Sequence, residues 1–366
     1  MAAAFCDKQS GRRRISGYKE QVLEGRMREI QKEIAGWGVG INLGNALDAI
    51  GGECAWGNPK TTEAMIDMYA EAGFDILRIP VTWNLHIGEA PGYPVDPDWM
   101  DRVYEVVSWA MDRGLRVILN THHEQCAWLK TTLADMPEVL PRFCALWQQI
   151  ANRFEHFGER LVFQGINEPR VEHGEKEWEG GTADVQAAVN VLNAAFVKTV
   201  RMTGGRNRER WLCIPPVGAK PVRAGMNAMI LPKDDHLIVT VHSYSPAEFI
   251  MEHVPENSTP YFTETAKEAI REDFEVIKEF AEQTGARIMI TEHGAVTKVL
   301  PDGSRNDLER AKYEQFFLAL AKEQGIPAVL WDNNYYDSGD EWFGLFDRSR
   351  LICNSPLVLE AILQGR

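Results

Sequence analysis

Two apolar stretches of this sequence each end in a glutamate. Leu161 to Ile166 runs into Asn167 and Glu168, and Ile288 to Ile290 runs through Thr291 into Glu292. Both have the length and composition of short buried strands. Pro169 closes the first, because proline offers a sheet no N–H, and His293 and Gly294 follow the second. Two carboxylates delivered by two strand ends can break a glycosidic bond: one protonates the departing oxygen, the other attacks the anomeric carbon or activates water. Each glutamate alone reads equally well as a turn cap or an arginine partner. The pair, set among the other strand ends, is what points to chemistry.

Those other ends carry polar and aromatic residues too. Asn42 and Asn45 follow the first apolar run. Arg78 lies inside Ile76-Leu77-Arg78-Ile79, where a buried guanidinium needs a carboxylate; a catalytic glutamate and a structural ion pair both meet that need. The third run ends in His122-His123-Glu124, a set of possible metal ligands. Adjacent strand residues face opposite sides, however, and the HExxH spacing of zinc proteases is absent. The preferred reading turns one histidine inward, toward a sugar hydroxyl or a catalytic carboxylate, with no metal. His242 and Tyr244 are two residues apart and share a side; the tyrosine hydroxyl can hold a carboxylate ionised while the histidine orients an acid. Trp331, followed by Asp332 and Asn333, offers an indole to the apolar face of a pyranose ring.

A scaffold must bring these ends together. Strand-like runs fall at Val39–Leu43, Ile76–Ile79, Leu115–Leu119, Leu161–Ile166, Trp211–Ile214, Leu237–Val241, Arg287–Thr291 and Ala328–Trp331. Amphipathic helices are expected between them at Thr62–Ala72, Trp99–Asp112, Phe143–Phe157, Ala187–Arg201, Lys267–Gln283 and Leu308–Lys322, with a short one near Val222–Met229. Gly73, Gly114, Gly285 and Gly325 stand where helix C-termini should be. Alternating strands and helices mean a parallel sheet. Eight units predict closure into one (β/α)8 TIM barrel with an N-terminal helical extension, and no GxGxxG supports a doubly wound sheet instead. Residues 1–35 read as an arm and helix (the arm to about residue 16, the helix over Gly17–Ala35), and residues 36–366 as the barrel. The long connections Thr82–Pro97 and Arg170–Thr182 lie where a barrel builds its cleft walls. Trp56, Trp83, Trp128 and Trp178 on the cleft loops are candidate sugar platforms, with ordinary packing as the alternative.

The totals agree with such a protein. A length of 366 residues suits a single barrel. A net charge of −14 and a pI near 5.2 argue against nucleic-acid or anionic-membrane partners. No stretch nears the roughly 20 apolar residues of a membrane span. Cys6, Cys54, Cys126, Cys144, Cys213 and Cys353 show no CxxC or zinc spacing and read as free thiols. The N-terminus lacks the basic-then-apolar order of a signal peptide.

Taken in order, the motifs resemble those of glycoside hydrolase family 5, the large cellulase family, and most closely its subfamily 4 of endo-β-1,4-glucanases. The stretches that carry the likeness are Gly40–Asp48, Ala55–Pro59, Gly73–Trp83, Asn120–Glu124, Asn167–Arg170, Thr199–Gly205, His242–Tyr244, Thr291–Gly294 and Trp331–Asn333. The resemblance implies Glu168 as general acid/base, Glu292 as nucleophile and Arg78 as its support. It places a histidine of the His122-His123 pair, together with Asn45, Asn167, His242, Tyr244, Trp331 and Asn333, around the sugar. Asn167 would meet the 2-hydroxyl, and Trp331 would floor the subsite at the cleaved bond. His293 and Asn334 depart from the usual pattern, and both bear on fine specificity. The implied protein is a retaining endo-glucanase acting on β-glucan polysaccharide, without a cofactor, monomeric and extracellular. A xylanase or related β-glycan hydrolase, a non-catalytic carbohydrate-binding barrel and a metal-dependent hydrolase built on His122, His123 and Glu124 are the alternatives.

Overall fold

The structure is a computed structural model that describes residues 25–251, 258–337 and 341–366. Eight parallel strands pair in chain order and the eighth returns to the first, closing the expected barrel. They are β1 (Val39–Asn42), β2 (Ile76–Ile79), β3 (Arg116–Asn120), β4 (Leu161–Gln164), β5 (Leu212–Ile214), β6 (Leu237–Ser243), β7 (Arg287–His293) and β8 (Ala328–Leu330). The crossover helices are α1 (Glu63–Glu71), α2 (Pro97–Asp112), α3 (Met136–Arg153), α4 (Ala183–Met202), α5 (Arg223–Asn227), α6 (Glu264–Thr284) and α7 (Asp307–Gln324). A last helix, α8 (Pro356–Gln364), follows β8 and packs on α7.

Several boundaries move from their expected places for local reasons. Asp96, Thr182 and Thr263 each accept a backbone N–H at a helix N-terminus and start α2, α4 and α6 early. Gly285 and Gly325 end α6 and α7 in the left-handed conformation. Helix α3 begins at Met136 rather than Phe143 and contains Pro141; so near the N-terminus the ring removes only the bond to the Pro137 carbonyl. Strand β4 stops at Gln164, short of Ile166, because the Gly165 carbonyl accepts from Thr121 Oγ1 (2.8 Å) and Trp147 Nε1 (3.0 Å). The Gly165 N–H still donates to the Cys213 carbonyl (3.0 Å), and the chain leaves the sheet after it.

The expected arm over residues 1–16, and the start of the helix after it, lie outside the described residues. Residues 25–31 are helical, and the helix is tied to the barrel floor. The Gln31 amide donates to the Ile288 carbonyl and accepts from the Ile288 N–H, both at 3.1 Å. Ile34 and Trp37 then close the floor against Ile76, Ile118, Val162, Cys213, Ile238, Met289 and Val329. Above this apolar layer the inward positions turn polar within two residues, as Ile238, Thr240 and His242 show on β6. Buried polar groups need hydrogen-bond partners, and Arg78 supplies them to Asn42, Gln164, Asn167 and Glu292.

One irregularity aims the second glutamate. Val241 pairs with Ile290 but His242 pairs with Glu292, so β7 carries an extra residue at Thr291. Simple alternation would turn Glu292 outward if Thr291 faces in. The bulge lets both face the interior.

Candidate active site

Arg78 is fully buried at the centre of the mouth. Its Nε donates to Gln164 Oε1 (2.8 Å), Nη1 to Asn42 Oδ1 (2.8 Å) and Glu292 Oε1 (2.6 Å), and Nη2 to Asn167 Oδ1 (2.6 Å). The partners are themselves held. Asn42 donates to the carbonyls of Thr291 and Leu330, each at 3.0 Å, and the Gln164 amide donates to Thr240 Oγ1 at 3.1 Å. Arg78 is therefore not a remote structural pair; it grips one glutamate and orients the asparagine beside the other.

Glu292 also accepts from the Tyr244 hydroxyl at 2.9 Å. Burial and the neighbouring carboxylates push that hydroxyl well above its ordinary pKa, so it remains a donor. His242 lies between the glutamates, its Nδ1 2.7 Å from Glu168 Oε1 and 3.5 Å from Glu292 Oε2. One polar atom each from Glu168, His242 and Glu292 lie within 4.8 Å of one another.

Glu168 is charge-compensated as well. Burial raises its carboxyl, but the hydrogen bond and charge of His242, with Arg170 and His123 behind, outweigh burial and hold it below the ordinary glutamate value. Arg170 Nη1 sits 3.2 Å from Glu168 Oε2. Glu168 is thus a hydrogen-bonded and ion-paired carboxyl between His242 and Arg170, not an isolated one.

Alternation does not separate His122 from His123, because β3 ends at Asn120 and the chain turns. The two rings meet edge to face at 4.4 Å. His122 is buried with Nδ1 3.0 Å from the Asn120 amide nitrogen; Asn120 Oδ1 already accepts from the Val81 N–H, so its NH2 donates and His122 carries its proton on Nε2. Burial drives His122 well below, and His123 down to about 4, so both are neutral hydrogen-bonding groups near neutral pH. Glu124 does not join them: its carboxylate accepts from the Trp83 N–H. Asp48 approaches the histidines instead, but its oxygens accept from the N–H groups of Asn45 (3.0 Å) and Ala46 (2.7 Å), closing a turn.

Among known proteins, the family profile "Cellulase (glycosyl hydrolase family 5)" matches residues 41–337. This chain belongs to glycosyl hydrolase family 5. Endoglucanase A of Ruminococcus albus is 39% identical over 332 residues, covering 89% of this chain and 90% of that protein. A GH5-4 broad-specificity endoglucanase from Clostridium acetobutylicum superposes with a TM-score of 0.85 at 37% identity, covering 91% of this chain and 98% of the other. A GH5 xyloglucan-specific endo-β-1,4-glucanase from a metagenomic library, solved with cellotriose, gives 0.86 at 34% identity, covering 94% and 100%.

In this family 5 hydrolase the remaining candidate residues divide by what they touch. Trp331 is 9% exposed, its ring parallel to His122 with centroids 5.8 Å apart. A Cβ on Gly44 would stand 2.8 Å from the same indole, which explains the glycine. The Asn333 amide is spent on its own loop, donating to the Glu341 carbonyl (2.7 Å) and accepting from the Tyr335 N–H (3.1 Å). Asn45 has φ 56 and serves the turn closed by Asp48. Trp83 is wholly buried, with its indole Nε1–H on the Asn120 carbonyl, so it is core and no platform. Trp178 is 42% exposed over Arg170, and Trp56 lies beside His123. The sequence reading places Asn42 at the mouth without a role and passes over Gln164 and Arg170 as site residues. A polar residue at inward parity within an apolar strand is the signal for the first two. Cys54, Cys126, Cys144, Cys213 and Cys353 are free, as expected; Cys6 lies outside the described residues. Among the described residues no helix is long and apolar enough to cross a membrane.

Proposed function

We propose that this family 5 glycoside hydrolase is a retaining endo-β-1,4-glucanase acting on internal bonds of β-glucans such as mixed-linkage glucan, xyloglucan and cellulose. The observation that carries the retaining reading is that one oxygen of each carboxylate comes within 4.8 Å of the other beside His242. Retaining enzymes keep these groups about 5–5.5 Å apart, whereas inverting ones leave roughly 6.5–9.5 Å for a water. Glu168 gives the proton shared with His242 to the departing oxygen. Glu292, gripped by Arg78 and Tyr244, attacks the anomeric carbon and forms a covalent glycosyl-enzyme. Water then enters, Glu168 takes its proton, and the Glu292 bond to the sugar breaks. Asn167, its Oδ1 held by Arg78, turns its NH2 toward the 2-hydroxyl, while Trp331 floors the sugar. The broad-specificity and xyloglucan-specific relatives support a glucan polymer as substrate. An extracellular, monomeric enzyme suits a polymer that stays outside cells and needs an open groove.

The test is reducing-end release from mixed-linkage glucan, xyloglucan, carboxymethylcellulose, xylan and mannan, with and without chelator, beside Glu292→Gln and Glu168→Gln. We expect chelator-insensitive release from one or more glucans, lost in Glu292→Gln. Glu168→Gln should keep the most activity on aryl cellobiosides with good leaving groups. Proton NMR of the first-formed product should show the β-anomer; an α-anomer would overturn the retaining step. Activity confined to xylan or mannan would overturn the substrate.

A further inference from the structure

Arg170 follows Glu168 by two residues, across Pro169, and folds back on it. Its Nη1 donates to both the Glu168 carbonyl (3.1 Å) and the Glu168 carboxylate (3.2 Å). The rest of the guanidinium is fixed by its own loop. Nε donates to Glu177 Oε1 at 2.9 Å, Nη2 stands 3.8 Å from Glu172, and the Trp178 ring covers its face at 4.5 Å. Glu177 is anchored in turn, its second oxygen accepting from the His173 N–H at 2.9 Å. One cation is thus shared between the acid and two carboxylates that touch no reacting atom. Side-chain exposure is 13% for Arg170, 17% for Glu168 and 16% for Glu177, so water and salt screen these charges weakly.

We propose that Arg170 is a positioning residue that governs how far into alkaline pH Glu168 keeps its catalytic proton, and that Glu177 opposes it by drawing off part of its charge. This rests on the reading of Glu168 as the general acid. Arg170 is the one charged group on that carboxylate that comes from the acid's own loop and contacts neither Glu292 nor Arg78. From the other elements, Glu168 faces His242 and Tyr244 of the β6 end, Glu292 of β7 with Arg78 behind it, and His123 beyond β3. The sign follows from charge. Losing the proton leaves the Glu168–His242 pair one unit more negative, and Arg170 favours that state. Removing Arg170 makes the proton harder to lose; neutralising Glu177 frees more of the Arg170 charge and makes it easier.

The experiment is the pH dependence of kcat/KM on a cello-oligosaccharide for wild type, Arg170→Met, Arg170→Lys and Glu177→Gln. Arg170→Met should move the alkaline limb up by about 1 pH unit, the low end of what an adjacent charge does to a carboxyl. Arg170→Lys should return most of the way to wild type, and Glu177→Gln should move the limb down. A merely structural loop would lower kcat in each variant without moving the limb, or move it the same way in both, and either result overturns the proposal. If Arg170→Met does not fold, the downward shift in Glu177→Gln still decides. Glu168→Gln is the control: a limb that survives in it belongs to another group and overturns the assignment of Glu168, and this proposal with it.

Discussion

Replacing Arg78 with methionine removes the hub of the mouth while keeping a side chain that packs. The Arg78–Glu292 pair is 0% and 7% exposed, so the variant leaves a carboxylate almost without water and with only Tyr244 and His242 beside it. Removing one partner of such a pair costs about 3–5 kcal/mol, most of it the penalty of the stranded charge. Asn42, Gln164 and Asn167 each lose a donor as well. The double variant Arg78→Met/Glu292→Gln buries no charge and should recover much of the loss, giving an interaction energy at the upper end of the ~0.5–3 kcal/mol found for contacting residues. Urea unfolding at neutral pH, followed by the fluorescence of the eleven tryptophans, measures all four corners of the cycle. If Arg78→Met lies within about 1 kcal/mol of wild type, as an ordinary surface change would, or if the double variant shows the simple sum, the charge-burial argument is wrong.

Two further outcomes follow from packing and from linkage. A Cβ on Gly165 would stand 2.7 Å from the Phe196 ring, so Gly165→Ala should destabilise by about 1–3 kcal/mol and displace Asn167 and Glu168, seen as a lower unfolding midpoint with reduced kcat. Next to Glu292 in sequence, His293 is buried 3.5 Å from Glu314 of α7. Burial raises Glu314 to about 8, with Arg310 opposing, and lowers His293 to about 3. A carboxyl raised in the fold binds its proton more tightly there than in the unfolded chain, so its contribution is present at low pH and lost as pH rises toward 8; a lowered histidine acts the other way, losing stability as pH falls from about 6.5 toward 3. Unfolding midpoints should therefore decline between about pH 6.5 and 8 in wild type and flatten over that range in Glu314→Gln; parallel curves would refute the shift.

The residues proposed for the chemistry were legible because their positions along the chain are local facts. Glu168 and Glu292 end apolar runs, His242 and Tyr244 share parity, and glycines mark helix ends. Eight alternations of strand and helix imply a parallel sheet with crossovers, and the count of eight with no GxGxxG favours the barrel over a doubly wound sheet. Local order failed where a long-range contact overrides it. The end of β4 is set by Thr121 and Trp147 reaching Gly165, and the separation expected of His122 and His123 fails because β3 stops before them. The helix on residues 25–31 gave no chemical signal, yet through Gln31 it binds the barrel floor.

By itself, then, the sequence determined which strand ends carry the two glutamates, Arg78, His242 and Tyr244, because strand ends and alternation are properties of neighbouring residues. Only the tertiary structure decided how they are charged and aimed. The bulge at Thr291 that turns Glu292 inward exists through pairing with β6. Arg78 meets Glu292 across 214 positions of chain, and the proton of Glu168 depends on His242 from β6 and on Arg170 folding back past Pro169. Electrostatics acts through space, and one chain read in order contains no distances between its distant parts.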